Sequence, residues 1–312
     1  LLVAFGSATQ DIALDAFRIE SAKAQYQAAL AASYQTGYRL AMIWAGAGAL
    51  WLAARAETTT GIYLAEAWQF AYLCMALSIS VGVVTTLLSP EPQAVLLPKA
   101  RSAGQWLQQT LIEPFADFIS RYRWQAFLIL GLIAIYRISD VVMGIMANPF
   151  YVDMGYTKDE VAAVTKVFGV IMTLVGAFLG GLLTMRFGVM RVLLLGGILS
   201  AASNLLFAWL STRGHDLNGL VWVISADNLS SGIASAAFIA YLSSLTNVQY
   251  SATQYALFSS MMLLLPKWLA GFSGVYVDTF GYEHFFIATA LIGIPVLILI
   301  MLAIRIEKTN SS

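Results

Sequence analysis

Across 312 residues the composition is that of a chain dissolved in lipid: 59% apolar, 11% charged, mean hydropathy +0.76. Seventeen Lys and Arg balance seventeen Asp and Glu, so no net charge exists to attract nucleic acid or an acidic partner. The single cysteine, Cys74, rules out a disulfide within the chain and any multi-cysteine metal or iron–sulfur site.

The chain opens Leu-Leu-Val inside an apolar run with no Met and no basic flank. That reads as neither a signal peptide nor a natural start, but as a fragment lacking earlier helices. The first predicted helix, near 1–17, carries the run Ala-Thr-Gln-Asp-Ile-Ala-Leu-Asp-Ala-Phe-Arg at 8–18. At about 100° per residue, Asp11 and Asp15 fall on one stripe with Ser7 before them and Arg18 after. A carboxylate inside a bilayer costs roughly 2.5–3.5 kcal/mol on insertion scales, so it faces a partner or a watery cavity. Burial allows a carboxylate to be protonated near neutral pH, and the neighbouring guanidinium opposes this at Asp15. The contrast favours Asp11 as a proton-coupling group and Asp15 as a structural anion, with Arg18 capping the helix end.

Two further spans are expected near 38–55 and 68–88. Residues 89–123 differ: they hold Pro90, Pro92, Pro98 and Pro114, and Leu107, Leu111, Phe115, Phe118 and Ile119 recur at helical spacing among polar residues. This suits a linker with an amphipathic helix on the membrane surface, kinked at Glu113-Pro114. Six more spans are expected near 124–147, 160–184, 190–211, 219–245, 253–277 and 284–304, nine in all. The division is then 1–88 (three helices of a first bundle), 89–123 (linker) and 124–312 (a six-helix bundle).

Placing the linker in the cytoplasm puts Arg18, Lys23, Arg39, Lys99, Arg101, Arg121, Arg123, Arg186, Arg191, Arg305 and Lys308 there, against Arg55, Lys158 and Arg213 outside. The asymmetry fixes the orientation. Three cations remain at membrane depth: Arg137, three residues before Asp140, then Lys166, and Lys267 beside Pro266. They suggest a cavity that receives an anion, although Arg137 and Asp140 can equally neutralise each other and Lys166 can snorkel outward. Gly181 to Gly188 and Gly274 to Gly281 share a spacing on opposite sides of the membrane, as inverted repeats demand. Gly176-x-x-x-Gly180 permits close helix contact.

Gly181-x-x-x-Met185-Arg186-x-Gly188-x-x-Arg191 resembles a loop signature of the major facilitator superfamily, with Met185 where that motif carries the acid of a helix-clamping salt bridge. Ala8-Thr9-Gln10-Asp11-Ile12 with Asp15, Tyr38-Arg39, Tyr136-Arg137 with Asp140, Asn228 with Gly232, and Ser251-Ala252-Thr253-Gln254-Tyr255-Ala256 together resemble the bacterial AmpG-type muropeptide permeases. The resemblance spans essentially the whole chain, from that family's fourth helix to its twelfth. The Thr-Gln-Asp run also occurs in related acetyl-coenzyme A transporters; the Ser-Ala-Thr-Gln run and the loop after the seventh helix favour the muropeptide branch.

The resemblance implies an all-α membrane protein of the major facilitator type, two six-helix bundles about a central cavity, with the first three helices absent. It implies import of anhydro-muropeptides across the inner membrane on the proton gradient, an activity that supplies the signal for β-lactamase induction. Asp11 and Asp15 would couple protons. Gln10, Tyr38 and Arg39 in the first bundle, and Tyr136, Arg137, Asp140, Asn228 and Gln254 in the second, would contact substrate. No cofactor or metal is implied, and the partners are the solute, protons and the bilayer, with the protein acting as a monomer.

Such a solute fits the residue chemistry. Its carboxylates suit Arg39, Arg137 or Lys267, its sugar faces suit Trp44, Tyr136, Trp222 or Tyr241, and its hydroxyls and amides suit Gln10, Asn228 and Gln254. The same amides can instead hold helices together, worth about 1 kcal/mol each. A membrane enzyme is the rival class, but the two histidines, His215 and His284, lie toward the outer rim and no cluster has metal-ligand spacing. Asp11 and Asp15 share one helix, whereas an intramembrane aspartyl protease needs acids on two.

Overall fold

Long apolar stretches have no water to satisfy their backbone groups in lipid, and they close on themselves as helices. The computed structural model describes residues 1–23, 26–56, 65–92 and 102–311, and among these all regular structure is helical. Six helices are long and apolar enough to cross a bilayer: Ala65–Leu88, Gln125–Asp153, Ala163–Phe187, Val189–Ser211, Leu217–Leu245 and Ser273–Ile306. The protein is a multi-pass membrane protein of the all-α class. The other three expected spans are helical too, at Leu2–Glu20, Gln27–Ala56 and Ser251–Ala270, but each carries more charged, amide or small residues.

In chain order, α1 is Leu2–Glu20 and α2 is Gln27–Ile43, joined by a π-helical turn at Trp44–Gly48 to α3, Ala49–Ala56; α4 is Ala65–Leu88. The linker helix follows as α5 (Ala103–Leu107), a π turn at Gln108–Ile112, and α6 (Glu113–Tyr122). At the expected irregularity, Glu113-Pro114, the helix passes from the π turn into α6. The proline occupies the first turn of α6 directly after the π turn, where a missing N–H is tolerated. Ser102 caps α5 by accepting from the Gln105 amide at 3.2 Å. Lys99 and Arg101 lie outside the described residues.

The helix expected at 124–147 is two rods, α7 (Gln125–Ile135) and α8 (Ile138–Asp153), broken at Tyr136–Arg137, where Arg137 has φ −90° and ψ 5°. Next come α9 (Lys158–Val161), a π turn at Ala162–Phe168, α10 (Gly169–Phe187), α11 (Val189–Ser211) and α12 (Leu217–Leu245). The last are α13 (Ser251–Ala270) and α14 (Ser273–Ser311), the latter turned at Gly281 with φ 79° and ψ 170°. The span expected at 253–277 is therefore divided by a turn at Gly271–Phe272.

The chain divides into two compact units, Tyr34–Gln93 and Leu1–Ser33 with Ala94–Ser312. In the smaller unit α3 packs on α4, and Trp44 donates its indole N–H to Ser78 at 2.9 Å. In the larger unit α12 is the central rod, packed against α10 and α11. A Cβ on Gly176 or Gly232 would overlap the backbone of the facing helix, and one on Gly180 would stand 2.8 Å from the Ile233 Cα. Only glycine lets α10 and α12 approach this closely. Phe150, Phe207, Tyr282 and Phe286 form an aromatic cluster, with Phe150 and Phe286 5.1 Å apart and edge-on.

Candidate functional site

Two clusters of polar side chains stand out within the larger unit. The first lies at the break between α7 and α8. There the helix ladder is interrupted, and Arg137 extends from the broken turn to the Ser235 hydroxyl of α12 at 2.7 Å and to the carboxylate of Asp140. Its Nε is buried and has no hydrogen-bond partner. The pair stays partly open, with 24% of the Arg137 side chain and 20% of Asp140 exposed. A guanidinium with spare donors, half shielded from water, can receive a carboxylate.

Asp227 of α12 joins this cluster. It accepts from the Ser203 hydroxyl at 3.0 Å and lies within electrostatic reach of both Asp140 and Arg137. Two carboxylates therefore lie within electrostatic reach of one guanidinium, and Asp140 is the one ion-paired to it. Sequence reasoning passed over Asp227 for its neighbour Asn228, although an acid in an apolar helix is the signal that drew attention to Asp11.

Other expected site residues are engaged inside the protein. Tyr136 is buried, stacks on Phe238 with centroids 4.4 Å apart, and donates to the Leu193 carbonyl at 3.2 Å. Asn228 accepts from Thr173 of α10 at 2.9 Å and donates to the Ile224 carbonyl at 2.9 Å, a helix-to-helix tie. Gln254 is 1% exposed. Its oxygen accepts from Arg121 at 3.1 Å and the Asn247 amide at 2.8 Å; its nitrogen donates to the Pro114 carbonyl at 2.8 Å and Asp117 at 2.9 Å. Three of the four hydrogen bonds of this amide thus fasten the linker helix to α13, and the fourth holds the turn at Asn247 that precedes α13.

The second cluster lies at the end of α1. Asp15 pairs with Arg18 at 3.3 Å, and Arg18 is buried at 5% exposure. The guanidinium donates to Gln27 at 3.2 Å and to Ser243 of α12 at 2.8 Å, and stands over the Tyr255 ring of α13 at 5.1 Å. Glu20 accepts from Ser251. Gln10 and Asp11 are exposed. In the smaller unit Tyr38 is exposed and Arg39 half-buried, with a buried Nε that has no hydrogen-bond partner. Lys267 is exposed, while the Lys166 side chain lies outside the described residues. Trp222 is exposed and Tyr241 buried.

Thr157 and Glu160 form a reciprocal cap at the start of α9, and Glu160 also meets His215 at 3.0 Å. These hydrogen bonds, that from His215 foremost, hold the Glu160 carboxyl down to about 2. Among the described residues no group of three His, Cys, Asp or Glu is placed to hold a metal.

No protein-family model matches the chain. Over 302 residues it is 33% identical to a protein of Rickettsia conorii named putative transporter AmpG 4, covering 96% of this chain and 70% of that one. It is 34% identical over 303 residues to the anhydromuropeptide permease of Escherichia coli K12, covering 96% of this chain and 58% of the permease. A third relative, putative transporter AmpG 1 of Rickettsia prowazekii, is 29% identical over 325 residues, 96% of this chain and 73% of that one. With identity of this level over 96% of its length, the chain belongs to the AmpG transporter family, with the all-α fold of the major facilitator superfamily.

Proposed function

We propose that the protein imports anhydro-muropeptides across the bacterial inner membrane by proton symport, acting as a monomer. The name of the Escherichia coli relative supports the solute. The observation that carries the reading is Arg137, set at a helix break with a buried, unpartnered Nε beside Asp140 and Asp227. Such a group can exchange its internal acid for a carboxylate of the solute's peptide. Gln10, Tyr38 and Arg39 are open enough to meet the solute as well. For Tyr136, Asn228 and Gln254, whose polar atoms already bond within the protein, we propose a framework role. Protons would enter through Asp11 or Asp15, the acids of α1, and the linker would face the cytoplasm.

The test is uptake of labelled anhydro-muropeptide under an imposed pH gradient, in the parent and in Arg137→Gln. Losing a charge-assisted bond costs about 1.5–3 kcal/mol, so affinity for the peptide-bearing solute should fall by roughly one to two orders of magnitude. Affinity for the sugar lacking its peptide should change little. Equal loss for both would mark Arg137 as a gate or a structural pair. Asp11→Asn should bind solute without accumulating it, and retained accumulation would exclude Asp11 as the coupling acid.

A further inference from the structure

Four membrane-spanning helices begin or end around one cleft in the larger unit. There α7 begins at Gln125 and α11 at Val189, α12 ends at Leu245, and the apolar span of α14 closes at Ile306. The cleft, about 880 Å³, therefore lies where the spans meet water. It holds none of the residues of the two polar clusters. Its floor is apolar, with Ile129 and Leu245 buried and Ile304 half-buried.

The rim is basic. The stretches that line the cleft, 122–129, 187–191, 241–245 and 303–306, contain Arg123, Arg191 and Arg305 and no Asp or Glu. Arg191 itself lines the cleft and is exposed; neither its side chain nor that of Gln125 has an ion pair or hydrogen bond among the described residues. The two helices that begin here have no side-chain cap, and the partial positive charge of their ends adds to that of Arg191.

An apolar floor beneath an uncompensated cation at the membrane boundary fits an amphiphile with an anionic head. A soluble anion the size of phosphate fills little of the volume and leaves Ile129, Leu245 and Ile304 facing water. A zwitterionic lipid sets its own cation against Arg191, with no acid in the lining stretches to receive it. We propose that this cleft binds one anionic phospholipid of the surrounding leaflet, its phosphate on Arg191 and Gln125 and the first methylenes of its chains on Ile129, Leu245 and Ile304. A lipid seated there bridges α7 to α11 and α14.

The experiment uses the full-length protein in phosphatidylcholine nanodiscs containing a small fraction of phosphatidylglycerol that carries a photoreactive diazirine near the head end of one chain. After illumination the label should concentrate on residues 122–129 and 303–306. Unlabelled phosphatidylglycerol should compete it away, where added phosphatidylcholine and inorganic phosphate do not. Arg191→Gln should reduce the labelling about fivefold, the worth of one arginine to an anionic head at the membrane surface. Arg191→Lys should keep most of it, and Arg213→Gln, just beyond the opposite end of α11, should leave it unchanged. If Arg191→Gln does not fold, Ser244→Trp, at an exposed position on the rim, should block the cleft and abolish the labelling. Label spread evenly over the spans, or undiminished in whichever of these variants folds, overturns the proposal. So does equal competition by phosphatidylcholine, which marks a groove for any acyl chain, and competition by inorganic phosphate, which marks the site of a soluble anion. No muropeptide is present, so the outcome is independent of the solute reading.

Discussion

Arg18 and Arg137 each pair with an aspartate three residues away, and the two pairs behave differently because of what surrounds them. The Arg18 pair is buried, 5% and 15% exposed, and its guanidinium also reaches α2 and α12; the Arg137 pair is 24% and 20% exposed, and its guanidinium also reaches α12. Identical local spacing thus yields a closed ion pair in one place and a half-open one in the other. Burial decides which, and it is not written in the spacing.

The sharpest way to break the comparison is to truncate both arginines. Arg18→Ala strands Asp15 and removes the donor from Gln27 and Ser243, and should destabilise the folded protein by about 3–5 kcal/mol. Arg137→Ala should cost less, about 1.5–3 kcal/mol, since water reaches Asp140. Denaturant unfolding in detergent checks this, and equal losses would erase the distinction.

Gln254 is a buried fastener of the linker helix. Gln254→Ala abandons four hydrogen bonds around Asp117, Arg121, Asn247 and Pro114, at about 1–3 kcal/mol for the buried groups left unpaired. Protease cleavage between residues 102 and 123 should quicken in inverted vesicles, while the Arg137 cluster keeps its affinity for solute. Unchanged cleavage would mean that α6 is held by its apolar face alone.

The smallest effect should come from the Glu160–His215 pair at the start of α9. Glu160 is held down to about 2 from an ordinary 4.5, so its contribution to the α9 cap is complete above about pH 4.5. It fades as pH falls toward 2. Amide exchange over residues 157–161 should rise through that window, and His215→Ala should move the rise to higher pH. A flat profile would show that the cap owes nothing to the carboxylate's charge.

Much of the fold was legible because hydropathy over about 20 residues is a local property. The break at Tyr136–Arg137 was not, since nothing in the apolar run of α7 announces it and Arg137 looked like a cation within one rod. Pro114 marked an irregularity in the linker helix, but the π turn that precedes it is not written in the proline itself. Asp15, Arg18 and Asp140 were readable as charges out of place in lipid. Their partners Ser243 and Ser235 were not, being common hydroxyls far away in sequence. Gln254 looked like a reader of solute amides because an amide in a membrane helix announces only that it needs partners, and the linker helix turned out to supply them.

The tight seating of α12 on α10 has a mechanical consequence. Ser235 meets Arg137 and Ser243 meets Arg18, and the two serines stand about 12 Å apart on one unbroken rod. Glycines keep that rod flush with α10, leaving it no slack to bend or roll independently. Because one rod carries both serines, any shift of α12 along α10 would have to move the partners of Arg18 and Arg137 together.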